Sequence, residues 1–374
     1  MSLNKIIDVA TVSQLLKKKI INKEGVRILD CTYAVGQKPD WKIFKEKYYG
    51  KFEEILSLPN ASKATYLSGH IPEAVHINLD AAMYPSEYER FALYPPDIFE
   101  KYIQMVGINS GEHIILYSRG AIGGMMYSSK LAWLFKSYGH EKLSIINGGF
   151  DEWARNGFEI SKEDVQLPVS GEIILHASDS HQSFVQIKVF KSGNWKAKDN
   201  VATNNITFEE MEAKKGDKQY MEQTSEVNFL DSRPRSQFDG TSETGLNPEY
   251  VTGSNIPGFK NMPAVELIDD KGLIKSPQEI TQWLSSNGYQ QGQPVVTLCN
   301  SGMQASMLAY VMDAILPHVS PRVYNGSMKE MELRDPRKIC GGRVRVAITL
   351  NNLYEPPTRE AGEFLYSYCL DHLK

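Results

Sequence analysis

The sequence predicts an α/β fold of two small domains in tandem, each a parallel sheet wound by helices. Three observations carry that expectation. Short apolar runs alternate with amphipathic helical patterns, as parallel βα units require. The same order of features occurs twice along the 374 residues. In the second half, one apolar run stops at Cys299, where a loop of small residues leads into a helical pattern.

The first half opens on a helix whose apolar side is Val9, Val12, Leu15 and Leu16, with Lys17, Lys18 and Lys19 on its exposed side. A strand, Val26 to Cys31, comes next, and then the turn Ser68-Gly69-His70-Ile71-Pro72-Glu73-Ala74. Pro96 to Ile103 reads as an amphipathic helix with proline in its first turn, where a missing N–H costs nothing. Glu112 to Ser118 is a buried strand, and a second helix leads to the strand Ser144-Ile145-Ile146 and the turn Asn147-Gly148-Gly149. The second half repeats this order. Val227 to Ser232 is its first strand, Gly253 to Gly258 its turn and Pro277 to Leu284 its amphipathic helix. Pro294 to Leu298 is the buried strand, and Ala305 onward, with Met307, Leu308, Val311 and Met312, a helix. Arg322 to Tyr324 is a last strand ending in a glycine turn.

Asp30 thus answers to Asp231, Ile71 to Ile256, Ser118 to Cys299 and Asn147 to Asn325, with an offset that narrows slowly, as loop insertions would make it. The expected boundaries are residues 1–160 for the first domain, 161–205 for a polar linker of poor periodicity and 206–345 for the second domain. A C-terminal extension, 346–374, carries Glu355-Pro356-Pro357 and a terminal helix from Arg359 to Leu373. Trp133, Trp153 and Trp283 fall on apolar helix faces and are expected in the core.

A net charge of −4 argues against nucleic acid and anionic membranes as partners. No apolar run approaches the roughly 20 residues that cross a bilayer. The N-terminus lacks the apolar centre of a secretory signal, which leaves cytoplasm or mitochondrion as the expected location. The four cysteines, Cys31, Cys299, Cys340 and Cys369, show neither CxxC spacing nor a zinc-ligand pattern with histidine. No metal, cofactor or disulfide framework is expected, and Gly148-Gly149 is a turn, not a phosphate loop.

Cys299 is where chemistry is expected. Asn300-Ser301-Gly302 can wrap backbone N–H groups around its sulfur with a helix N-terminus behind, an arrangement that favours a nucleophilic thiolate. Cys31 matches Ser232 in its strand and is expected to pack in the core. Cys340 and Cys369 lie outside any motif.

The strand endings Leu29-Asp30 and Leu230-Asp231, His70-Ile71-Pro72-Glu73-Ala74, Asn147-Gly148-Gly149-Phe150 with Trp153, Tyr324-Asn325-Gly326-Ser327 and the cysteine loop together resemble the two-domain rhodanese-like sulfurtransferases. The resemblance runs from about residue 5 to 335 and implies tandem rhodanese-like domains of which only the second is catalytic, Ser118 standing in the cysteine position of the first. It implies transfer of a sulfane sulfur from 3-mercaptopyruvate or thiosulfate to Cys299. The persulfide then passes its sulfur to a thiol, such as glutathione or thioredoxin, or to cyanide. The neutral loop leans toward mercaptopyruvate, because it offers little to a dianion.

By the same resemblance, Ser301 and His70 form a proton relay near the sulfur, with His70 reaching across from the first domain. Arg233 clamps the donor carboxylate, Arg235 substitutes for a second clamp that Gly240 to Gly245 lacks, and Asn300, Gly302, Met303 and Gln304 contact the donor. Plainer readings stand beside two of these: His70 pins its own turn, and Arg233 pairs with a nearby carboxylate. Asn255, Asn300, Gln304 and Met328 depart from the family pattern; Asn255, Asn300 and the missing second arginine favour an alternative, a catalytically impaired binding or regulatory protein. The dual-specificity phosphatases of similar fold need an arginine six positions after the cysteine, and Ala305 stands there.

Overall fold

A computed structural model describes residues 3–165, 192–316 and 318–342. Its two five-stranded sheets contain only parallel pairings, as the alternation of strands and helices predicted. The first is built from β1 (Ile6–Ile7), β2 (Val26–Asp30), β3 (Val75–His76), β4 (His113–Tyr117) and β5 (Leu143–Ile146), in the order β1-β5-β4-β2-β3. After β6 (Asn205–Ile206) comes a small antiparallel pair, β7 (Lys214–Lys215) and β8 (Lys218–Gln219). With β9 (Asn228–Asp231), β10 (Lys260–Asn261), β11 (Val295–Leu298) and β12 (Arg322–Tyr324), β6 completes the second sheet, in the order β10-β9-β11-β12-β6. Taken from its β6 edge, this is the first sheet's order again, so the duplication seen in the sequence is a duplication of topology. Registers match too: Asp30 lies beside Tyr117 and Asp231 beside Leu298, each at the end of a central strand.

The central strands β4 and β11 are buried at every position, as strands covered on both faces must be. Helices start where local chemistry allows. Asp8 caps Val9–Lys17 by accepting from the Thr11 N–H, and Ser276 with Glu279 forms a capping box ahead of Pro277–Ser286. Of the tryptophans, Trp133 and Trp153 are in the core, whereas Trp283 is half-buried and donates its indole N–H to Glu266.

The two halves share one core. The helix after each β-strand junction, Met126–Ser137 in the first half and Met303–Ile315 in the second, packs against the other, and one apolar cluster runs through both. Residues Ala305 to Met312 are all buried, as are Tyr127 to Phe135. The sequence pattern led us to expect one apolar face on the Met303 helix; it is buried all round because its own sheet covers one side and the first half the other. A chain starting at Asn205 would therefore expose that helix. It is expected to aggregate or to lose all sulfur-transfer activity, as size-exclusion chromatography and a turnover assay would reveal.

The segment read as a polar linker is in part anchored. Trp195 is buried against Phe99 and Phe135, and its indole N–H donates to His140 Nδ1 at 3.0 Å. A Cβ at Gly193 would fall 1.9 Å from the Ile108 carbonyl oxygen, so only glycine lets this strand of chain lie so close. The polar stretch Asp179 to Gln182, Cys369 and the expected helix from Arg359 to Leu373 lie outside the described residues. No helix among the described residues is long and apolar enough to cross a membrane.

Candidate active site

Cys299 directly follows the C-terminal end of the central strand β11, and the loop that follows is fixed from below. The Cys299 N–H donates to Ser327 Oγ at 3.1 Å, and that hydroxyl donates to the Tyr324 carbonyl. The Met328 and Lys329 N–H groups close on the Cys299 and Asn300 carbonyls at 3.0 and 3.1 Å. Gly302 sits at φ +78° just before the helix, and a Cβ there would fall 2.6 Å from Asn325 Oδ1 and 3.0 Å from Lys130 Nζ. Both the left-handed conformation and the space demand glycine. The helix begins at Met303, two residues earlier than the sequence pattern indicated, so its unpaired N–H groups follow the cysteine at once.

Cys299 opens into a cavity of about 260 Å³ between the two halves. The second half contributes Cys299, Asn300, Ser301, Met303 and Gln304; the first contributes Tyr33, Val35, Arg90, Phe91, Met126 and Tyr127. Five of the residues expected from sequence therefore meet here, and Gly302 shapes their backbone. Asn300 Nδ2 donates to the Thr244 carbonyl at 3.2 Å, turning the amide away from the loop. Among the described residues its Oδ1 and the Gln304 Oε1 are buried without a hydrogen-bond partner, leaving two acceptors for an N–H or O–H group.

Three expected residues are elsewhere. His70 is buried and does not line the cavity; its ring is stacked on Tyr66, and its two nitrogens face the Ile71 and Glu163 carbonyls at 2.9 and 2.8 Å. Its backbone bridges Ser161, just as Asn255 at the matching place bridges Gly341. These contacts tie His70 to its own turn and to the chain at Ser161 and Glu163, away from the cavity lining. Arg233 is not among the cavity's lining residues. It is 1% exposed and bound to Asp231 through Nε and Nη2, with Nη2 also donating to the Ser254 carbonyl. Arg235 is engaged by Glu266 in a two-pronged ion pair and by Asn287. Neither arginine lines the cavity, and each is paired with a carboxylate.

The sequence reading missed the cation that does face the cavity. Of the described residues lining it, Arg90 alone carries a formal charge. It projects from an irregular loop, where no periodicity marks it. Nη2 donates to the Tyr33 hydroxyl at 3.3 Å and to the Gly36 carbonyl, while Nε is buried without a partner among the described residues. Tyr33 in turn donates to Asp80 at 2.9 Å. Burial and the Asp80 charge hold the Tyr33 phenol well above its ordinary range, so it stays protonated.

In the first half, Ser118 occupies the cysteine position, and its hydroxyl donates to the Gly124 carbonyl at 2.7 Å. That loop is longer than its counterpart and kinks through the left-handed residues Ile122 and Gly123. Among the described residues no group of three His, Cys, Asp or Glu side chains could hold a metal ion.

The chain matches the family model of the rhodanese-like domain over residues 13–156. It is 55% identical over 345 residues to the Caenorhabditis elegans protein named "Putative thiosulfate sulfurtransferase mpst-1", covering 91% of this chain and 98% of that relative. It is 28% identical over 317 residues to the thiosulfate sulfurtransferase of Gallus gallus, covering 83% of this chain and 88% of that one. Its fold superimposes on the crystal structure of SseA from Escherichia coli, a 3-mercaptopyruvate sulfotransferase, with a TM-score of 0.60 at 19% identity, covering 87% of this chain and 99% of that one.

Proposed function

Because the chain belongs to the two-domain rhodanese-like sulfurtransferases, we propose that it moves a sulfane sulfur from a small anionic donor to an acceptor thiol through a persulfide on Cys299. The observation that carries this reading is the cavity itself: a cysteine at a helix N-terminus faces a single guanidinium across a space sized for a small molecule. The Cys299 thiolate attacks the donor sulfur and an S–S bond forms. With 3-mercaptopyruvate the C–S bond breaks, its electron pair passes to the methylene carbon, and the resulting pyruvate enolate takes up a proton. Ser301, lining the cavity, is the hydroxyl that hydrogen-bonds the enolate. The persulfide loses its proton, and a thiol such as glutathione or thioredoxin then takes the outer sulfur and restores the Cys299 thiolate.

One guanidinium balances the single charge of a carboxylate but only half that of a dianion, so 3-mercaptopyruvate is the preferred donor and thiosulfate the poorer one. Arg90→Met is expected to raise KM for mercaptopyruvate about 10- to 100-fold, the equivalent of roughly 1.5–3 kcal/mol for a hydrogen bond to a charged group, with kcat changed much less. Steady-state kinetics check this, and an unchanged KM removes Arg90 from donor binding. The function itself is tested by incubating the protein with each donor and measuring intact mass. A gain of one sulfur atom, mapped to the peptide holding Cys299, is the expected result; no gain with either donor favours the binding or regulatory alternative.

A further inference from the structure

Lys130 is fully buried, with no exposure to solvent. A lysine is almost never found so, because its ammonium loses hydration worth several kinds of contact at once. It belongs to the first half, in the helix Met126–Ser137, yet its head group serves the second. Nζ donates to Asn325 Oδ1 and lies 3.5 Å from the carbonyl oxygen of Gly302, inside the cysteine loop. The Trp133 ring covers it, with 4.0 Å between Nζ and the ring centroid. No carboxylate lies within ion-pair distance of Nζ among the described residues. Glu89 is one step away, accepting from Asn325 Nδ2 at 2.7 Å. A cation has thus been taken out of water and set under the Cys299 loop with an amide, a carbonyl and a ring for company, but with no ionic partner of its own.

We infer that Lys130 is a positioning residue for sulfur transfer: its ammonium is the counter-charge of the Cys299 thiolate and persulfide, and its hydrogen bonds lock the cysteine loop to the first half. The inference rests on the role proposed for Cys299 above. It explains why the loop itself can be neutral, since the positive charge comes from the other half of the chain, beneath the loop.

The electrostatics fit this geometry. Burial pushes the Lys130 pKa down to about 7, and the charges at Cys299 and Glu89 oppose that fall. Burial thus weakens the ammonium, and the negative charges around it are what keep it from falling further. Burial and the nearby Glu330 charge raise Glu89 to about 7, so it too gains charge only near neutrality. Glu330, on the helix Ser327–Arg334, is raised by burial and paired with Arg334, which also binds Glu209. The Lys38 and Lys130 charges pull Glu89 the other way, toward ionisation. A negative charge at Cys299 therefore favours the protonated form of Lys130.

The test is the pH profile of iodoacetamide alkylation at Cys299, read by peptide mass in the full-length protein. Lys130→Met is expected to move the half-maximal pH upward by roughly one unit or more, the shift that loss of a close opposite charge produces. It should lower kcat while leaving donor KM within about twofold, a magnitude far below that of losing a charged contact. Lys130→Gln keeps a donor for Asn325 without a charge and is measured in parallel, so a folding defect in the Met variant leaves the comparison standing. Lys130→Arg, which keeps the charge, should restore part of the wild-type profile. A folded Met or Gln variant with an unshifted profile overturns the inference. Sulfur loading of the wild type by intact mass is scored separately, so failure of the proposed function is distinguishable from failure of the Lys130 role.

Discussion

Cys299→Ser is expected to abolish sulfur transfer from either donor, a fall of roughly four orders of magnitude or more, as removal of a covalent nucleophile produces elsewhere. The thiolate both attacks the donor sulfur and carries it, and a serine hydroxyl does neither near neutral pH. The variant should fold normally. Serine already occupies the equivalent junction in the first half at Ser118, between the matching strand and helix, and there it is fully buried. The bonds that fix the loop run through the backbone of residue 299 and the side chain of Ser327, so they survive the change. Intact mass after donor treatment, together with the melting temperature, checks the result. Continued gain of sulfur by the serine variant would assign the persulfide to another thiol, with the exposed Cys340 as the first to examine.

Much of this molecule is legible in its sequence because burial leaves strong periodic traces. The repeated strands, the proline-started helices and the cysteine loop all appear where apolar runs and turn residues put them. What the sequence hides is direction. His70 and Arg233 carry the right chemistry and lie close in sequence to the right motifs, but each turns into its own domain. His70 bridges to Ser161 and Arg233 closes on Asp231, contacts that no spacing along the chain reveals. Arg90 was hidden for the opposite reason. It sits in a loop, and only the packing of Met126–Ser137 on Met303–Ile315 brings that loop over the cysteine. Trp195 shows the same limit from the core side, since a lone aromatic in a polar stretch gives no period to read.

Arg233→Ala is expected to act on stability before it acts on the donor. Arg233 and Asp231 are each about 1% exposed, and Nη2 lies 2.6 Å from the carboxylate. Removing one member of a buried pair leaves the other charge unpaired in the interior, at a cost of roughly 3–5 kcal/mol. The first half supports a structural role for the pair. Asp30, the counterpart of Asp231 at the end of the equivalent strand, is also fully buried and also bound by an arginine. That arginine is Arg119, which directly follows Ser118 and so comes from a different place in the chain. Both aspartates also accept a backbone N–H two residues on, from Thr32 and from Arg233. Two halves that solve the same problem with arginines of different origin point to a demand of the fold, which needs a counter-charge at this strand end whether or not a cysteine is nearby. Arg233→Ala should therefore lower the melting temperature sharply, and the double variant Asp231→Leu/Arg233→Met should regain much of the loss, since apolar residues of similar volume often replace a buried pair at little cost. Thermal unfolding of the two variants beside the wild type decides it. An Arg233→Ala protein that melts normally but needs far more mercaptopyruvate would return this guanidinium to the donor site.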